Sequence, residues 1–189
     1  RDVRSAFKAL DTIDAAQRLE LPRHRLLRLQ AALVAEDYQE IVERATAWLQ
    51  AAAAQPSGQD AAYLDLLRLL SAEAQLELAK PLLALAVLDK LSAAGAADAS
   101  ALALFSRIGN VLPDPEAAIA LLDRTLRATS ADNPLFRVRL LDWMRASIRH
   151  KPETRKDTID EARRYAGLFE AADCPSALRT AFEQLCSPN

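Results

Sequence analysis

Two histidines and two cysteines are the side chains best suited to metal binding or nucleophilic catalysis in this sequence. His24 and His150 lie about 126 residues apart, and neither has a Cys or another His three or four positions away, as a helical metal site would need. Cys174 stands at a predicted helix start, where a thiol pKa can fall, but no strand or oxyanion-forming turn is predicted to present it. We therefore expect a non-enzymatic protein with no catalytic residue, no metal site and no cofactor.

The two cysteines are also too far apart to form a disulfide with each other. The residues from Pro175 to Cys186 follow a helical pattern, and a helix of that length separates its ends by roughly 15 Å. A disulfide needs Cα atoms within about 7 Å. Free thiols favour a reducing compartment, so we expect a cytoplasmic rather than a periplasmic protein.

The charged residues offer three clusters but no catalytic pair. Glu73 and Glu77 lie one helical turn apart, either on a solvated face or pointing into a binding groove. A second cluster places cations at the start of a predicted helix, which the helix dipole disfavours, so these cations are expected to meet carboxylates of a neighbouring helix or of a partner. A third lies at the end of a predicted helix, where cations are favoured. The basic clusters are Arg23, His24, Arg25 and Arg28, and Arg145, Arg149 and Lys151.

Composition assigns the chain to the all-α class. Ala and Leu occupy 71 of the 189 positions, whereas Val, Ile and Thr occupy only 19. Ala and Leu lose little on entering a helix, and β-branched residues favour strands. The net charge of −2 excludes nonspecific electrostatic binding of nucleic acid by the chain as a whole. No stretch of about 18 uncharged apolar residues is present, so no membrane insertion is expected.

Apolar spacing and helix-breaking residues predict ten helices joined by short connections, in which sequence neighbours lie antiparallel. Trp48 and Trp143 fall on the apolar arcs of their helices and are expected in the core. The predicted helices cover about 2–20, 22–35, 38–54, 60–78, 81–94, 98–110, 114–129, 134–149, 154–171 and 175–185.

Five helix starts share one pattern, a turn residue followed after several positions by a small or apolar residue. The clearest is Glu36-Asp37-Tyr38-Gln39-Glu40-Ile41, and it resembles the opening of the second helix of a tetratricopeptide repeat, a motif with a period of about 34 residues. The small or apolar residues that end the five patterns are spaced by 35, 43, 34 and 44 residues. Seven positions after each of them stands another residue, which is large in most cases. The final members are Ala6, Ile41, Ala84, Ala118 and Ala162, and the later residues are Ile13, Trp48, Leu91, Thr125 and Phe169.

The resemblance implies a right-handed superhelix of stacked helix pairs, an α-solenoid, with the last helix as a C-terminal cap. The whole chain, 1–189, would be one tetratricopeptide-like domain that begins at the second helix of a repeat, which suggests a piece of a longer protein whose N-terminus is missing. The bias towards Ala, Leu and Arg suggests a bacterial protein. A concave groove would then bind a protein or peptide partner, which predicts a scaffold or adaptor. The alternative is a regulatory or ligand-sensing segment of a larger signalling, transcription or secretion protein. The groove residues implied by the repeat register are Arg23, Gln30, Glu73, Glu77, Arg107 and Asn110.

Overall fold

A computed structural model describes Thr12 and residues 22–54 and 60–187. These residues form eleven α-helices, a short 3-10 helix at Pro152–Thr154 and no strand. The first predicted helix, about 2–20, lies outside the described residues apart from Thr12. The α-helices are α1 Pro22–Val34, α2 Tyr38–Ala54, α3 Ala61–Glu77, α4 Pro81–Leu88, α5 Ala93–Ala96, α6 Ala99–Gly109, α7 Pro115–Arg127, α8 Leu135–His150, α9 Arg155–Arg163, α10 Ala166–Glu170 and α11 Ser176–Cys186.

The all-helical class is confirmed, and seven predicted helices match α1, α2, α3, α6, α7, α8 and α11 within about two residues at each end. Prolines and acidic N-caps explain this agreement, because both act locally. Asp60 caps α3 through a hydrogen bond from the Ala62 N–H, and Asp114 caps α7 in the same way.

The predicted helix at 81–94 is wrong in its second half, because the chain divides into α4 and α5. After Leu88 the backbone tightens: the N–H of Lys90 donates to the carbonyl of Val87, and that of Leu91 donates to Leu88. Ser92 then caps α5 by accepting a hydrogen bond from the Gly95 N–H at 3.0 Å. Ser92 also donates hydrogen bonds to Asp65 of α3, and this contact holds the division between α4 and α5.

The predicted helix at 154–171 is also divided, between α9 and α10. The N–H of Tyr165 donates to the carbonyl of Ala162 at 3.0 Å, a three-residue closure that narrows the helix. The Tyr165 ring contacts Phe136, with 4.9 Å between the ring centroids. Packing of this aromatic pair accompanies the change in backbone.

The chain separates into two compact units, the first ending at Leu104 and the second beginning at Phe105. In the first unit α1 packs on α2, α2 on α3 and α3 on α4. Trp48 is buried here, as predicted. Arg28 of α1 is also buried and pairs with Glu40 of α2 at 3.2 Å, which confirms for this residue that the basic cluster meets a neighbouring helix. The core is formed by Leu29, Ala32, Ile41, Ala45, Trp48, Leu67 and Ala74.

The same turn precedes α2 and α4 in the first unit. Glu36 and Ala79 are the non-glycine residues with positive φ in the described chain, each with φ 57°. The following N–H groups, of Asp37 and Lys80, donate to carbonyls five residues earlier at 2.9 and 2.8 Å. Both features define a helix C-cap of the Schellman type. The two helix pairs of the first unit therefore turn in the same way.

In the second unit α8 packs against α7, α9 and α11. Trp143 is buried, as predicted, and the rings of Phe169 and Phe182 stack with centroids 4.2 Å apart. Cys174 is buried and Cys186 half-buried, and both are free thiols, as predicted. The core comprises Leu122, Leu126, Phe136, Leu140, Leu141, Trp143, Met144, Ala162, Phe169, Cys174 and Phe182.

The positions that carry the repeat pattern occupy the cores of the two units. Ile41, Ala84, Ala118 and Ala162 are all almost fully buried. Of the residues seven positions later, Trp48, Thr125 and Phe169 are buried, whereas Leu91 is half-buried in the turn between α4 and α5. Ala6 and Ile13 lie outside the described residues. The described part of the chain contains no helix long and apolar enough to cross a bilayer.

Candidate functional site

The groove residues predicted from the repeat register lie mostly on the surface. Arg23 and Gln30 are exposed on α1; on α3, Glu73 is half-buried and Glu77 exposed. Because α1 contacts α3, these four residues lie on two neighbouring helices. Arg107 in the last turn of α6 and Asn110 just beyond it are exposed residues of the second unit. The set stays a prediction.

The first unit contains a pocket of about 660 Å³ between α3 and the segment around α5. Its wall is largely apolar and includes Leu66, which is 47 % exposed. Its polar groups include carboxylates but no Lys, Arg or His among the described residues. We call it the acidic pocket, and it is lined by Asp60, Ala61, Ala62, Asp65, Leu66, Leu69, Ser92, Ala94, Gly95, Asp98 and Ser100.

Asp65 fixes the wall of the acidic pocket. Its side chain is buried on α3 and accepts hydrogen bonds from the backbone N–H and the hydroxyl of Ser92. Arg68, one turn along the helix, donates to the same carboxylate at 2.8 Å. Burial raises the pKa of Asp65, but the hydrogen bonds from Ser92 and the Arg68 charge outweigh it, so the pKa lies below its usual value. Asp65 is therefore a charged structural anchor for the turn before α5.

Two other carboxylates, of Asp60 and Asp98, stand at the pocket rim. Asp60 accepts the Ala62 N–H at 2.9 Å at the start of α3. Asp98 accepts the Ser100 N–H at 2.8 Å at the start of α6. Both are exposed, so each carboxylate caps a helix and also gives the rim negative charge.

Ser92, one of the polar residues of the acidic pocket, is fully engaged in holding the local fold. The Ser92 hydroxyl donates to Asp65 and its oxygen accepts from Gly95, so both its functions hold the turn. No histidine lines the pocket among the described residues to act as a base for it. An apolar wall with a few fixed polar groups is typical of a binding pocket. Within the described ranges no group of His, Cys, Asp and Glu could hold a metal ion.

Sequence reasoning did not find this pocket. Asp60 and Asp98 are recognisable as helix caps, but nothing local shows that they lie at one opening. The contact between Asp65 and Ser92 joins residues 27 positions apart. The sequence pattern predicts an unbroken helix over 81–94 and therefore gives no reason to expect Ser92 in a turn against Asp65. The available signal is Ser92 followed three residues later by Gly95, which is typical of a cap followed by a close approach of backbone.

The two histidines differ in their surroundings. His150 is exposed at the end of α8, whereas His24 on α1 is half-buried. Nδ1 of His24 is buried and has no hydrogen-bond partner among the described residues. Neither histidine belongs to a cluster of metal-ligating side chains in this part of the chain.

No protein-family model, no curated protein and no solved structure matches the chain.

Proposed function

We propose that the chain is a protein-interaction module built from tetratricopeptide-like helix pairs. The acidic pocket carries this proposal: a largely apolar cavity of about 660 Å³ with carboxylates and, among the described residues, no cation in its lining. Such a surface suits an apolar side chain of a partner segment that also carries Lys or Arg. The apolar contact would supply affinity, and the rim charges would supply orientation and selectivity.

Two features of the packing support the repeat architecture within this proposal. The four described positions of the repeat pattern are buried, at Ile41, Ala84, Ala118 and Ala162. The Schellman turns at Glu36 and Ala79 are separated by the same 43 residues as Ile41 and Ala84. A unit that repeats its turn and its buried contact at one interval is typical of stacked helix pairs.

Removing charge without removing the helix caps tests the pocket directly. Asp60→Ser and Asp98→Ser each delete a rim carboxylate, while serine still caps a helix well. Asp114→Ser is the matched control, because Asp114 caps α7 through the Glu116 N–H at 3.0 Å and is not among the pocket residues. The probes are a labelled peptide that combines Leu and Lys and a counterpart with Glu in place of Lys.

We expect the Leu/Lys peptide to bind, the Leu/Glu peptide to bind more weakly, and each rim substitution to weaken binding about three- to tenfold. That range corresponds to about 1 kcal/mol for an exposed charge pair. Fluorescence anisotropy at low and high salt measures these affinities. The difference in affinity between the two peptides should shrink at high salt, because salt screens the carboxylates at the rim. Equal affinity for both peptides, or equal losses in Asp60→Ser and Asp114→Ser, would contradict the proposal.

The groove predicted from the repeat register has its own test. If these residues contact the partner, charge reversal at Glu73 should weaken binding of the Leu/Lys peptide, and charge reversal at Arg107 should strengthen it. Binding that responds to the rim variants but not to Glu73→Lys or Arg107→Glu would assign recognition to the acidic pocket alone.

A further inference from the structure

The second unit contains a cavity of about 390 Å³ that is lined by residues of α7, α8 and α9. Three aromatic rings contribute to it: Phe136 and Trp143 on α8, which are buried, and the half-buried Tyr165 between α9 and α10. The rings of Phe136 and Tyr165 are in contact, with 4.9 Å between their centroids. We call it the aromatic pocket, and its described lining is Asp123, Leu126, Arg127, Thr129, Ala131, Phe136, Leu140, Trp143, Glu161 and Tyr165.

The charged residues of this lining are two carboxylates and one guanidinium. Asp123 and Arg127, one turn apart on α7, form an ion pair in which Nε of Arg127 lies 2.7 Å from the carboxylate. Glu161 comes from α9, and its charge adds to the larger effect of Asp123 in raising the pKa of Arg127. The described lining therefore carries one more negative charge than positive charge, and its guanidinium is already paired with Asp123.

A further cation, Arg139 of α8, is not part of this lining. It is 3 % exposed, and its Nη1 donates to the hydroxyl of Thr129, which does line the pocket. Burial is the cause that lowers the pKa of Arg139, and neither Asp123 nor Glu161 contributes to this shift. The carboxylates of the pocket are therefore not compensated by Arg139.

These groups together suit a cation with an apolar body. The face of an aromatic ring attracts a cation, Trp most strongly, and quaternary ammonium groups are commonly recognised in this way. Leu126 and Leu140 supply apolar surface for the substituents of such a group. An anionic ligand would instead be repelled by Asp123 and Glu161. The volume is near the lower end of the range for small-molecule sites, roughly 300–1,000 Å³, so the ligand is small.

We propose that the aromatic pocket binds a small organic monocation, an ammonium group with apolar substituents, against Phe136, Trp143 and Tyr165, with Glu161 as its counter-charge. The cation can be a free small molecule or the ammonium of a methylated lysine side chain, because both present the same chemistry. The site lies in the second unit and the acidic pocket in the first, so this proposal does not depend on the function proposed for the acidic pocket.

Trp143 provides the measurement. Trp48→Phe removes the other tryptophan, so the fluorescence of Trp143 reports on the aromatic pocket in the otherwise intact chain. The probe is choline, and its control is dimethylbutanol, the isostere in which carbon replaces the charged nitrogen. At constant ionic strength we expect a saturable fluorescence change with choline and about tenfold weaker binding of dimethylbutanol.

A tryptophan-free peptide that carries one trimethyllysine distinguishes the two sources of the cation. It should bind more tightly than choline if the natural ligand is a side chain, because neighbouring peptide groups then add contacts. It should bind no more tightly than choline if the natural ligand is a free molecule. Saturable binding of either probe supports the proposed chemistry.

Glu161→Gln tests the counter-charge. It keeps the shape of the side chain and should weaken choline binding about two- to fivefold, with dimethylbutanol binding unchanged. Asp160→Asn is the matched control, because Asp160 precedes Glu161 on α9, is exposed, pairs with Arg163 at 3.5 Å and does not line the pocket. Both substitutions change the net charge of the chain by the same amount, so a difference between them reports on the position of the charge.

Two further variants separate the contributions of charge and ring. Arg127→Gln removes the guanidinium of the lining and should strengthen choline binding, whereas it would weaken the binding of an anion. Tyr165→Leu keeps apolar volume but removes one ring, so choline should lose more affinity than dimethylbutanol. The urea midpoints of both variants show whether the second unit stays folded.

Saturable choline binding that weakens in Glu161→Gln but not in Asp160→Asn would support the proposal. Equal affinity for choline and dimethylbutanol would overturn it, and so would equal changes in Glu161→Gln and Asp160→Asn. A Trp143 signal that saturates with neither choline nor the trimethyllysine peptide would overturn it as well.

Discussion

Ser92 and Asp65 are joined by two hydrogen bonds across 27 residues of sequence, one from the backbone N–H at 3.2 Å and one from the hydroxyl. The contact attaches the turn after α4 to the N-terminal part of α3. Ser92 also caps α5 through the Gly95 N–H, so a single side chain ends one helical segment and begins the next. The wall of the acidic pocket depends on this one pair.

The close approach of α5 to Asp65 makes Gly95 intolerant of a side chain. A Cβ at Gly95 would lie 2.3 Å from Oδ2 of Asp65, and relieving that overlap must disturb the bonds to Ser92. We expect Gly95→Ala to lower the free energy of unfolding by about 1–3 kcal/mol. Urea denaturation followed by circular dichroism measures the change.

Gly167→Ala is the matched control, because Gly167 also lies in a short helix, α10, and nothing stands within 4 Å of its added Cβ. Alanine there should be neutral or stabilise by up to about 1 kcal/mol. If both variants change the midpoint by the same amount, the contact with Asp65 is not the cause.

Asp65 should contribute to the acid stability of the protein. Its folded-state pKa lies below the usual 3.8, so its contribution is complete above that value and is lost as pH falls through the lower folded-state pKa. Asp65→Asn should reduce stability at neutral pH by roughly 1–3 kcal/mol and flatten the fall of stability below about pH 5.

Urea midpoints measured between pH 7 and pH 3 test this, with Asp98→Asn as the control. Asp98 is an exposed helix cap, and Asn replaces Asp well at that position. A pH profile of Asp65→Asn that runs parallel to the wild-type profile would show that Asp65 does not carry the acid dependence.

The parts of this fold that could be predicted are those set by local chemistry. Pro22, Pro81 and Pro115 each begin a helix, and Asp60 and Asp114 each cap one, so the starts of α1, α3, α4 and α7 follow from the sequence. Burial at Ile41 and Ala118 also follows from the repeat pattern. Each of these features depends on residues within a few positions of one another.

What could not be predicted depends on contacts between distant residues. Ser92 looks like part of a continuous helix until Asp65 is brought against it. Arg139 and Arg137 look alike in the sequence, yet Arg139 is buried with no charged partner among the described residues, whereas Arg137 pairs with Asp173. The available signal for Arg139 was its position beside Phe136 and Leu140 on the apolar arc of α8. Local pattern alone does not show whether such an arginine reaches solvent.

The last helix is expected to stabilise the second unit through Phe182. This side chain on α11 is buried and stacks on Phe169 of α10. Phe182→Ala removes that ring from the core and should lower the free energy of unfolding by about 3–5 kcal/mol. Val138→Ala, at a position 38 % exposed on α8, should change it by less than about 1 kcal/mol. Thermal and urea unfolding measure the stability of both variants. Similar losses of stability in Phe182→Ala and Val138→Ala would exclude α11 as a packed cap.

Cys186 should differ from an ordinary cysteine in its reactivity. Burial raises the pKa of Cys186, although the charges of Arg163 and Arg155 partly oppose this effect. In a Cys174→Ala variant, the reaction of Cys186 with a disulfide reagent should therefore rise at a higher pH in the native protein than in the same protein in urea, because the thiolate is the reacting form. Stopped-flow rates across pH 6 to 10 test this. A native profile that coincides with the denatured one would show that the surroundings of Cys186 leave its ionisation unchanged.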